Sequence, residues 1–94
     1  MPLSVGELLG AHLVTRGGEG AAVVAWSRRP WVSATFEGEV LQFEMQVDAA
    51  QRAAFVEGLS DAEFPLRRHF VAEIAAETGE GGGLVVEALI IREG

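Results

Sequence analysis

The sequence predicts an α+β fold, an antiparallel sheet of about five strands with two helices packed on one face, and three observations carry that expectation. Leu41, Phe43, Met45 and Val47 alternate with Gln42, Glu44 and Gln46, the period of two that a half-buried strand requires. Asp48 then precedes an alanine-rich stretch in which Phe55 and Leu59 stand four apart, as on a helix with one apolar stripe. Near the C-terminus, residues 84–91 are apolar except Glu87, which reads as a strand covered on both faces or lying at a subunit contact.

The elements follow in order. Ser4-Val5-Gly6-Glu7 fits a capping box and predicts a short helix to about Leu9, weakened by Gly6 and Gly10 at about 1 kcal/mol each relative to alanine. "HLVTRGGEGAAVVAW" places two β-prone runs around residues 17–20, where glycines supply the positive φ of a hairpin connection. Ser27 to Pro30 interrupts the second run, because proline lacks an amide hydrogen for the ladder, and a strand restarts at Trp31. Glu37-Gly38 read as a two-residue turn sets Ala34 opposite Leu41 and Val32 opposite Phe43. The first of the two main helices is then expected over 48–58, with Gln51 completing a capping box and Gly58 as its stop.

The second main helix is expected over 65–78. Pro65 suits its first position, Gly79 its end, and Leu66, Phe70, Val71, Ile74 and Ala75 share a stripe. The alternative is a strand over 65–77 paired with 84–93 through the glycines at 79–83. That pairing sets Phe70 opposite Ile90 and Ile74 opposite Val86, but also Glu73 against Glu87, an unfavourable like-charge pair. "AEIAAE" also favours helix over strand, so helix is the primary reading.

Composition bounds the function. Ninety-four residues suffice for a single domain, and 49% apolar content with dispersed charge is that of a folded chain. Fourteen acids against seven arginines leave a net charge of −7, which argues against a nucleic-acid partner, since that contact depends on neutralising phosphates. The absence of cysteine excludes disulfides, thiolate metal sites and a cysteine nucleophile. No apolar run reaches the roughly 20 residues of a membrane span, and the first residues lack a basic leader start, so no membrane partner and a cytoplasmic location are expected. The lack of lysine, asparagine and tyrosine beside abundant alanine, glycine and arginine suggests a GC-rich bacterial or phage origin.

The sequence carries little that resembles catalytic machinery. "EGGG" lacks the lysine and hydroxyl residue of a phosphate loop, and none of the serines lies in a nucleophile elbow. His69 and Glu73 have helical ligand spacing, but two ligands make no metal site, so neither metal nor cofactor is expected. Two stretches qualify as binding candidates. Trp26, Arg28, Arg29 and Trp31 flank Pro30 and belong to residue types that concentrate interface energy, while Arg67, Arg68 and His69 form the densest cationic run. The leading expectation is a small acidic non-catalytic protein-interaction or assembly module whose partner is another protein or a second copy in a homodimer. Alternatives are a small-ligand domain or minor enzyme with a pocket between sheet and helices near Trp26, Trp31 and His69, and an acidic mimic of nucleic acid that inhibits a binding protein.

Overall fold

A computed structural model describes residues 3–93. The elements run α1 (Val5–Gly17), β1 (Ala22–Val32), β2 (Glu37–Gln46), α2 (Ala49–Leu59), β3 (His69–Thr78), a single turn of 3₁₀ helix (Glu80–Gly82) and β4 (Leu84–Arg92). The broad α+β expectation stands, but the sheet has four strands instead of five, all antiparallel and ordered β1-β2-β4-β3.

β2 and β4 form the centre. Leu41, Phe43 and Met45 of β2, with Leu84, Val86, Ala88 and Ile90 of β4, point to one face and enter the hydrophobic core, as the alternation in β2 predicts. α1 and α2 cover that face. Leu9 and Leu13 lie four apart on α1 and are fully buried, and Phe55 and Leu59 do the same for α2. Both ends of α1 and its approach to the sheet depend on small residues. A β-carbon on Gly6 would strike the Trp26 indole, and one on Gly10 would lie 3.3 Å from the Phe43 ring. The glycines that weaken the helix therefore let it lie close to the strands.

Several local expectations are corrected. α1 continues past Leu9 through "HLVTRG", so the glycines at 17–20 join a helix to a strand and form no hairpin; Gly18 and Gly20 hold φ of 83° and 82° there. The chain does not break at Ser27 to Pro30, because β1 is an edge strand and a missing amide donor is tolerated where it faces away from the ladder. The turn between β1 and β2 is the four residues from Ser33 to Phe36, closed by Ser33 N–H donating to Phe36 O at 2.9 Å and by Phe36 N–H donating to Ser33 Oγ at 3.0 Å. Val32 therefore pairs with Glu37, and Trp26 pairs with Phe43. α2 begins without a side-chain bond from Asp48 and extends one residue beyond Gly58 to Leu59. β4 is central, with helices over one face only.

The largest correction concerns 65–78, which is no helix. The strand alternative holds, as β3 against β4, with a different register: Phe70 faces Ile91, Val71 faces Ile90 and Ile74 faces Ala88. A bulge between Val71 and Glu73 opposes Glu73 to Leu89 and Glu87 to Ala75, so the like-charge pair that disfavoured the strand never forms. Pairing also satisfies the outer ladder of β4, an apolar strand that would otherwise present an open edge, and this tertiary gain overrides the helix propensity of "AEIAAE".

Candidate docking face

The core uses one face of the sheet. On the other, cross-strand register builds rows that, among the described residues, no helix covers. One row is Trp31, Gly38, Ile91 and Phe70, read from β1 through β2 and β4 to β3; the next is Arg29, Val40, Leu89 and Glu73. Beyond them lie Ser27, Gln42, Glu87 and Ala75, then Ala25, Glu44, Val85 and Glu77.

Val40 and Ile91 are only 9% and 3% exposed yet do not belong to the core cluster. They form an apolar centre between an aromatic side and a charged side. Phe70 is 42% exposed and Trp31 is half-buried. A groove of about 740 Å³ crosses this face between Arg29 and Trp31 on one side and Glu73 and Ala75 on the other, then passes over the bulge at Ala72 to Leu59 at the end of α2.

Residues flagged in the sequence divide between the faces. Trp31 and Arg29 lie on the open one. Trp26 lies on the other, stacked on Phe43 with ring centroids 6.0 Å apart, and Arg28 approaches Glu39 at 3.8 Å. The two indoles thus sit on opposite sides of one strand and do not flank a turn. Arg67, Arg68 and His69 stay together at one end of the sheet, where they line a hollow with Arg92, Glu37 and Glu39. Arg68 has φ 55°, Glu93 N–H donates to its carbonyl at 2.7 Å, and His69 Nδ1 bonds the Arg67 carbonyl at 2.5 Å, which places the proton on Nδ1.

Polar groups inside the protein are few. His12 Nε2 is buried without a hydrogen-bond partner, its ring 6.3 Å from that of Phe64, and Glu39 Oε2 and Arg52 Nε are likewise unpartnered. The Glu7 carboxyl is held below its ordinary pKa, chiefly because it accepts from Ser4 N–H at 3.1 Å and then because the Ser4 hydroxyl lies beside it. Among the described residues no three histidine, aspartate or glutamate side chains are placed to hold a metal ion, and no helix is long and apolar enough to cross a membrane.

Sequence reading reached Trp31 and Arg29 through residue type alone. It did not reach Val40, Leu89, Ile91 and Phe70 as one surface, because that surface exists only once four strands are in register. Comparison with protein-family models, curated proteins and solved structures finds no match.

Proposed function

We propose that this chain is a non-catalytic protein-interaction or assembly module of bacterial or phage origin, acting in the cytoplasm, and that it docks through the open face of its sheet. One observation carries the reading. Trp31, Leu89 and Phe70 keep apolar surface exposed around the buried Val40 and Ile91 on the face opposite the helices, and exposed apolar surface of this kind marks interaction surfaces. An apolar centre edged by an arginine on one side and glutamates on the other has the anatomy of a protein interface, whose core is apolar and whose rim is polar.

The test is site-specific photo-cross-linking in cells. Benzoylphenylalanine placed at position 89 on the open face should yield a discrete covalent adduct with a protein, whereas the same group at Ala53, on the exposed side of α2, should yield none. No adduct from position 89, with the protein folded and abundant, would overturn the reading.

A further inference from the structure

Resting on that reading, we infer that the occupant of the open face is a second copy of this chain, related by a two-fold axis lying between the sheets and parallel to the strands. Such an axis keeps each row level with itself and reverses strand order, so β1 of one copy lies over β3 of the other and β2 over β4.

The rows are self-complementary under that operation. Arg29 at one end of its row meets Glu73 of the second copy at the other end, and the pair forms twice. Val40 meets Leu89 between them. In the aromatic row Trp31 meets Phe70, and the nearly buried Ile91 lies over Gly38. The acids also find suitable places. Glu87 meets Gln42, which donates, while in the outermost row Glu77 meets Ala25 and Glu44 meets Val85, so no two carboxylates oppose each other.

The competing two-fold, across the strands, lacks this match. Centred on the Arg29 row it sets Arg29 on Arg29 and Glu73 on Glu73; centred one residue further along it sets Val40 on Gln42 and Leu89 on Glu87. Centred between the Arg29 and Trp31 rows it sets Leu89 on Ile91 but puts Arg29 on Trp31 and Glu73 on Phe70, leaving both charges without an opposite partner, so the charge pattern selects one axis. Four strands and four rows give a footprint of about 500 Å² per copy before side-chain relief is counted. Both copies together then bury about 1,000 Å² or more, the size at which specific interfaces begin.

Sedimentation equilibrium of the full chain at tens of micromolar tests the inference. The parent should be a dimer. Arg29→Glu and Glu73→Arg should each weaken the dimer by about tenfold or more, and the two together should recover most of the loss, since the swap restores the pair with its sign reversed. Leu89→Arg should give a monomer whose circular dichroism matches the parent; the two charge variants, at exposed positions, keep the test valid if that variant unfolds. A monomeric parent overturns the second-copy inference, as does a dimer indifferent to all three changes. A monomeric parent whose position 89 still cross-links to a different protein leaves the assembly reading standing and removes only this inference, whereas absence of any adduct removes both.

Discussion

β2 and β4, in the middle of the sheet, alternate without interruption, whereas β1 and β3, at its edges, each carry one extra residue. In β1 the shift falls between Val23 and Ala25, and in β3 between Val71 and Glu73. A regular strand sends residues three apart to opposite faces. The bulges let Val23 and Trp26 both pack on the helix side, and likewise Val71 and Ile74, although each pair is separated by three. The centre is thus held by strict periodicity and the edges by a phase reset, which also increases local twist and makes an edge a poorer template for further pairing.

Deleting a residue from each type of strand separates the two cases with the largest expected effect. Removing Gln42 from β2 turns Phe43 and Met45 outward and Glu44 inward, since a one-residue slip exchanges the faces. Cooperative unfolding should be lost altogether. Removing Ala72 or Val24 instead leaves flanking residues that already alternate correctly, so each edge strand becomes regular and stability should fall by only about 1 kcal/mol. Urea melts followed by circular dichroism measure all three. If deletion of Ala72 unfolds the chain as thoroughly as deletion of Gln42, the bulge in β3 is not where the structure places it.

Side-chain truncation should repeat the contrast on a smaller scale. Phe43 is fully buried beneath both α1 and the Trp26 ring, and Phe43→Ala should cost about 4 kcal/mol. Trp26 is larger but 38% exposed at the sheet edge, and Trp26→Ala should cost about 2 kcal/mol because water already reaches part of the ring. Denaturant midpoints at unchanged slope give both values, and a larger loss at Trp26 would reverse the assignment of centre and edge.

The same contrast decides what could be read from the sequence. β2 and α2 are legible because their apolar residues follow one period, with Phe55 and Leu59 buried as their spacing predicts, whereas β4 is legible as a strand only by its unbroken apolar run, which does not show that one of its faces is left open. β3 is not legible, since the bulge breaks the period at Ala72 and the alanines and glutamates that follow favour helix until β4 offers them a ladder. In β1, Pro30 reads as a break, because its tolerance depends on an edge position that only the strand order reveals. The open face is half visible in the sequence: Trp31 and Arg29 stand out by residue type, but their neighbours Leu89 and Phe70 come from elements distant in sequence, one of which has the propensity of a helix.

The smallest expected effect lies where α1 meets the edge. Ser4 and Glu7 form a reciprocal cap, with Glu7 N–H donating to Ser4 Oγ at 3.2 Å and the Glu7 carboxylate accepting from Ser4 N–H. The bond from Ser4 N–H favours the ionised carboxylate and lowers its pKa in the folded chain, with the Ser4 hydroxyl and then the Arg28 charge as lesser contributions. A group lowered on folding adds stability above its ordinary pKa and loses that stability as the pH falls through the lowered folded value. Acid should therefore loosen the first turn of α1 before it reaches the centre of the sheet. Gly6 in that turn lies against the Trp26 indole, so Trp26 emission reports the event once Trp31→Phe has removed the second fluorophore. Glu7→Gln keeps an acceptor for Ser4 N–H but cannot titrate, and it should remove the low-pH part of the Trp26 transition while leaving the main acid unfolding in place. An unchanged Trp26 titration in Glu7→Gln would show that protonation of the cap does not reach the edge of the sheet.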